Sequence, residues 1–342
     1  MGKLFSLFGL LIVIFTLVFV PAGAADEEKI HIDVLILPKF EVNDIQGDFP
    51  GEAQYYYENY LAGGEEYDIF GGLDNHKLYV KDGIALYLTG MGKLNAAIGT
   101  IAVLSDERFD FSDAYVLSTG CGGTAIEYGV MGDVFVITSI VDFDLGHHAD
   151  SREMEDPSAR TTWFHDSGYD GSAYVMLDAD LVNRVYDLVK DVRIETTDVT
   201  RDFMAAAFEN AEWAVRDPKV LRGTTVTSDN YWKGIYQHQN ALKMIEEYGC
   251  PDPFAITEME EIGIGMAMNR LNKLDRLIII RDSVNMDVFM LGQTPESLWD
   301  HEYHVTLGSE NNVEAADIFA TAQKNNFAVG SVIIQAILDG TL

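Results

Sequence analysis

Short continuous apolar runs alternate along this chain with stretches in which apolar residues recur every three or four positions. The first kind comprises Ile32–Leu37, closed by Pro38, then Ile84–Leu88, Ala114–Leu117, Val134–Val141, Thr224–Thr227 and Leu277–Ile280. Runs of that length predict buried strands. The second kind comprises Leu94, Ile98, Ile101 and Leu104, then Leu181, Val185 and Leu188, then Leu242 to Tyr248. Such spacing places apolar side chains on one face of a helix. Strand and helix alternating over the whole length predict an α/β fold, a three-layer αβα sandwich around a mixed central sheet. No repeat, low-complexity tract or Pro/Ser-rich linker interrupts the pattern, so residues 25–342 are expected to form a single domain.

The first 24 residues break this rhythm. Lys3 precedes an apolar run from Leu4 to Val20, followed by Pro21 and the small residues Ala22-Gly23-Ala24. That order predicts an export signal with its cleavage site. The run is nearly long enough to span a bilayer, but no basic cluster follows to stop transfer. The mature chain is therefore expected outside the cytoplasm, periplasmic or extracellular. A formal charge of −32 repels phosphate backbones and sets nucleic acid aside as a partner. The two cysteines, Cys121 and Cys250, are too few for a disulfide framework, and Cys121 reads as a small buried thiol in a glycine-rich turn.

In such sheets ligands collect beyond the carboxyl ends of the strands, so the turns there carry the candidate chemistry. In "LTGMGKLNAA" a strand runs through Gly90-Met91-Gly92 into a helix, which aims backbone N–H groups at an anion or a sugar hydroxyl. In "STGCGGTA" Thr119, Gly120, Cys121 and Gly122 allow a close backbone approach. In "AITEMEEIG" Glu258, Glu260 and Glu261 crowd the end of an apolar run. A carboxylate there accepts from adjacent ribose hydroxyls, with Met259 as a soft surface for the sugar, unless these residues are only a solvated helix start. "IIIRDSVNMD" carries an apolar strand into Arg281, Asp282, Asn285 and Asp287, which must be hydrogen-bonded to each other or to a ligand.

The order of these turns resembles the nucleoside phosphorylase and nucleosidase superfamily. "DFPGEAQYYYENY", "LTGMGKLNAA", "ADSREM", "TSDNYWKG" and "TEMEE" narrow the resemblance to the purine nucleoside permease family, associated with nucleoside uptake. It implies that Gly90, Met91, Gly92, Thr119, Gly120, Cys121 and Gly122 line the site and that Glu258, Met259 and Glu260 grip a ribose. Ser228, Asp229, Tyr231 and Trp232 of "TSDNYWKG" would face the base, the aromatics offering stacking surfaces, unless they merely close the core.

Two functions follow as expectations: an exported purine nucleoside-binding protein for uptake, or an N-glycosidase of the same fold. Many superfamily enzymes have an aspartate where this chain has Asn285. An amide hydrogen-bonds a purine N7 or 6-oxo group but is no general acid, which favours inosine and guanosine. Asp287 is near enough in sequence to substitute. Glu41 or Asp44, just after the first strand, are candidate bases for an attacking water by position alone. The strand Tyr115-Val116-Leu117 lacks the arginine with which hexameric phosphorylases hold phosphate, so phosphorolysis is the least supported reaction. His147 and His148, with Asp150 and His165 nearby, make a poor metal pair, because neighbours on a strand point opposite ways. The run Asp166–Leu177 lacks the glutamate of a calcium loop. No cofactor or metal is expected. The expected partners are a purine nucleoside, a membrane transporter and further copies of the chain.

Overall fold

A computed structural model describes residues 28–156, 162–163, 168–208, 211–296 and 313–342. The expected signal stretch, His165 and Asp166 lie outside the described residues.

The strands in chain order are β1 (Ile30–His31), β2 (Val34–Leu37), β3 (Glu65–Asp68), β4 (Lys77–Lys81), β5 (Ile84–Tyr87), β6 (Phe109–Asp110) and β7 (Tyr115–Thr124). After them come β8 (Val134–Asp142), β9 (His147–His148), β10 (Thr162–Trp163), β11 (Tyr174–Met176), β12 (Val220–Thr227), β13 (Phe254–Glu258) and β14 (Leu277–Met286). β1 pairs with β6 and β9 with β10, each as a two-stranded piece. The remaining ten form one sheet, β11-β8-β12-β13-β7-β2-β5-β4-β3, with β14 bonded to both β7 and β8. β7, β14, β8, β12 and β13 therefore close on themselves, through parallel and antiparallel pairs alike. The expected mixed sheet is thus partly a ring, which periodicity does not reveal.

Adjacent residues on a strand point to opposite faces, and here each face meets a helix. On β7, the Ser118 hydroxyl donates to Glu261 of the helix Glu261–Arg270, while the next residue, Thr119, bonds Asn326 of the helix Val313–Leu338. On β14, Arg281 donates to Glu261 and Asp282 accepts from Asn326. Helix, sheet and helix are the three layers predicted. The core between them is fully buried aliphatic, including Val34 to Leu37, Leu117, Ile137 and Ile278 to Ile280.

One helix turns the other way from expectation. In the helix Lys93–Leu104 the expected face Leu94 and Ile98 is exposed (75% and 57%), and Ala96, Gly99, Thr100 and Val103 are buried instead. The reason is close packing: a Cβ on Gly263 of the neighbouring helix would stand 2.3 Å from the Lys93 carbonyl oxygen. Only a small-residue face permits that approach.

Candidate functional site

A cavity of about 350 Å³ opens at the carboxyl ends of β7, β13 and β14, next to the turns that follow β2, β5 and β12. That volume suits a small ligand. Gly92 has φ +90°, and its N–H donates to Glu260 Oε1 at 3.1 Å. The other oxygen of Glu260 accepts from Arg281 Nη2 at 2.9 Å. The opening turn thus holds the ribose-gripping candidate itself.

The three glutamates have different tasks. Glu258 is spent on the protein: it accepts from the backbone N–H groups of Glu260 (2.6 Å) and Glu261 (2.8 Å) and from the Thr225 hydroxyl (3.0 Å). Glu261 points away from the cavity, to Ser118, Arg281 and Lys39 Nζ. Glu260, at the helix start, lines the cavity beside Met259. All three are buried, so the solvated helix start is excluded.

A fourth carboxylate, Glu52, lines the same cavity. It accepts from the N–H groups of Lys39 (2.8 Å) and Cys121 (2.9 Å). Four buried carboxylates, Glu52, Glu258, Glu260 and Glu261, thus surround two buried cations, Lys39 and Arg281. Burial pushes the Glu258 and Glu260 carboxyls up despite the Arg281 charge. For Glu261 burial is outweighed by the charges of Lys39 and Arg281, which hold it low. Both cations donate inward. Lys39 Nζ bonds Leu37 O, Ser118 Oγ and Thr119 O, and Arg281 bonds Cys121 O as well as the carboxylates. The glycine turn therefore has cations beside it, reaching in from neighbouring strands and already engaged.

The far wall belongs to the base-side candidates. β14 shifts register between Ser283 and Asn285, a one-residue bulge that brings Asn285 opposite Gly123 and leaves both Val284 and Asn285 lining the cavity. Asn285 Nδ2 donates to the Tyr231 hydroxyl at 3.1 Å. Asp287 also lines the cavity, but its oxygens are held by the Ile126 N–H (3.0 Å) and by His238 Nδ1 (2.6 Å). Trp232 combines both of its expected roles. It lines the cavity and stacks on Phe143 with centroids 4.9 Å apart, and its indole N–H is buried with no acceptor among the described residues.

Met91, Cys121, Gly122, Tyr231, Trp232, Glu258, Met259, Glu260, Asn285 and Asp287 are thus gathered around one cavity. Gly90, Thr119, Gly120, Ser228 and Asp229 are outside the lining; Thr119 faces the opposite helical layer, the Ser228 hydroxyl and the Asp229 N–H bond Asp144, and Asp229 itself is exposed. Glu41 lies outside the lining. Its carboxylate accepts from the N–H groups of Val42, Gly51, Ala53 and Gln54, closing the loop that carries Glu52, and burial pushes it up to about 7. Sequence reasoning missed Lys39, Phe40, Val42, Glu52 and Phe319 in the lining. Glu52 stood inside "DFPGEAQYYYENY", whereas Phe319, on the last helix, carries no local signal. His147 and His148 are exposed on β9, and Cys121 and Cys250 are both free thiols.

Among solved structures, the 5′-methylthioadenosine/S-adenosylhomocysteine nucleosidase of Neisseria meningitidis superposes with a TM-score of 0.52 at 15% identity, over 89% of this chain and 98% of that one. The corresponding nucleosidase of Helicobacter pylori does so with a TM-score of 0.52 at 12% identity, over 90% and 100%. These likenesses establish the fold: nucleoside phosphorylase-like. A probable purine nucleoside permease of Schizosaccharomyces pombe is 25% identical over 222 residues, 58% of this chain and 63% of that protein, so the chain spans less than two thirds of that relative's length. The family model for purine nucleoside permeases matches residues 31–341. That match covers nearly the whole chain, and the protein belongs to the purine nucleoside permease family.

Proposed function

We propose that the chain is exported and binds purine nucleosides, 6-oxopurines preferred, as the capture step of nucleoside uptake. The observation that carries this reading is Glu260, a buried carboxylate clamped between Arg281 and the Gly92 N–H at the cavity wall beside Met259. A carboxylate so held is a preset acceptor for ribose hydroxyls. The neutral amide of Asn285, held by Tyr231 on the opposite wall, matches a 6-oxo group or N7. Among the described residues no helix is long and apolar enough to cross a membrane; in this reading a separate transporter carries the captured nucleoside across the bilayer. Recovering the chain from outside the cytoplasm with Ala25 as its first residue would support export; finding it in the cytoplasm with residues 1–24 attached would overturn it.

A second reading is supported by Glu52, a second carboxylate on the same cavity. In that reading water, losing its proton to Glu52, adds to C1′ of the ribose. The N-glycosidic bond breaks with its electron pair going to the purine, which takes up a proton from solvent while Glu52 later returns its own to solvent, and Glu260 steadies the cationic sugar. The deciding experiment incubates the chain with inosine, guanosine and adenosine, with and without phosphate, and follows free base by chromatography. Free base without phosphate makes the protein a hydrolase, and Glu260→Gln should then abolish turnover while retaining some affinity. Tight binding by calorimetry without free base makes it a receptor. Absence of both rejects the nucleoside reading.

A further inference from the structure

Asp144 lies just beyond the end of β8, outside the cavity lining, yet it ties together two parts of the cavity that are far apart in sequence. Its Oδ1 accepts from the Ser228 hydroxyl at 2.7 Å and from Asn230 Nδ2 at 3.2 Å. Its Oδ2 accepts from the Asp229 N–H at 2.6 Å and from Lys93 Nζ at 2.8 Å. Three successive residues after β12 are therefore pinned to one side chain, and the next two, Tyr231 and Trp232, form the aromatic wall. Lys93 begins the helix directly after Gly92, whose N–H supports Glu260. Burial works against the charge on Asp144, but the bonds from Lys93, Ser228 and Asp229 hold its carboxyl below the usual range. Charge-assisted bonds of this kind are the strong ones.

We propose that Asp144 is the positioning residue of the cavity, a carboxylate that sets the base-side wall through Ser228, Asp229 and Asn230 and, sharing Lys93 with Asp142 (3.0 Å) and Asp229 (3.6 Å), helps to set the ribose side. The expectation from sequence was that Ser228 and Asp229 face the base; in the structure the Ser228 hydroxyl and the Asp229 N–H bond Asp144, and the Asp229 carboxylate accepts from the Lys93 N–H at 2.9 Å. In its ligand-binding part the proposal rests on the nucleoside reading above.

The test uses the full chain as Asp144→Asn, which keeps the side chain's size, and as Ser228→Ala, which removes one hydroxyl and serves if the first variant does not fold. Amide hydrogen exchange in the ligand-free protein is expected to quicken about tenfold at residues 229–233, with β8 and β12 as protected as in the parent. The Kd for inosine should rise about tenfold in Asp144→Asn and less in Ser228→Ala. Unchanged exchange at 229–233 overturns the proposal whatever the ligand. A loss of protection spread evenly over the sheet also overturns it, since that is what a general structural role would produce. So does faster local exchange with unchanged inosine affinity in a protein whose parent binds inosine. If the parent binds no inosine, the nucleoside reading fails on that ground alone, and the exchange measurement still decides whether Asp144 holds the wall.

Discussion

Arg281 shows how much one side chain can decide. It is 1% exposed, and its guanidinium meets Glu258, Glu260 and Glu261 together. Burial opposes its charge, but the three glutamates raise its pKa well above the usual value. Arg281→Met keeps most of the volume and leaves Lys39 as the one cation beside these carboxylates among the described residues, with Glu258 and Glu260 losing their ion pair, so it is expected to cost about 3–5 kcal/mol of stability in urea unfolding. An unchanged midpoint would mean that the glutamates are already protonated in the folded state. At this scale the sequence was half legible. The residue types in "AITEMEEIG" announced a carboxylate with work to do, and the three glutamates differ only by position: the end of a strand, the entry to a helix, its first residue. Position within one turn decides which of them faces the cavity. Glu41 and Glu52 make the same point, since both are near the first long strand and only Glu52 reaches the cavity.

At the scale of elements, the contact between β14 and the helix Val313–Leu338 carries a pH dependence. Asp282 is fully buried there, accepting from Asn326 Nδ2 at 2.8 Å and Gln323 Nε2 at 3.2 Å. Burial, then the charge of Glu52, raises its carboxyl well above the ordinary 3.8. A carboxyl raised on folding means that the folded state keeps a proton which the unfolded chain gives up above about 4. Stability then falls as pH rises through the window from there to the folded value, by about 1.4 kcal/mol per pH unit. Asp282→Asn removes that proton from the account and is expected to flatten the fall in stability as pH rises above about 4. Parallel curves for the two proteins in denaturant titrations would contradict this. The helix Lys93–Leu104 gives the lesson in legibility. Its existence and limits follow from spacing, but its exposed Leu94 and Ile98 show that period alone does not choose a face when a neighbouring helix selects small residues.

For the whole molecule the governing quantity is charge. The sequence carries −32, and around the cavity four carboxylates face two cations whose donors turn inward. An added phosphate therefore meets repulsion without a ready partner. Inosine 5′-monophosphate is expected to bind about tenfold more weakly than inosine at low salt, with the gap narrowing as ionic strength rises. Calorimetry at two salt concentrations checks this, and equal affinities would show that a cation is available to phosphate after all. The alternation of buried strands and amphipathic helices, the glycine turns and the kinds of residue at strand ends were determined by the sequence alone, because periodicity and turn chemistry act over a few residues. The closure of the sheet into a ring, the choice of Glu260 over its neighbours and the hold of Asp144 on the aromatic wall were decided only by the tertiary structure. Each depends on groups such as Arg281 and Cys121, or Asp144 and Ser228, that lie 160 and 84 positions apart and meet only when the strands pair.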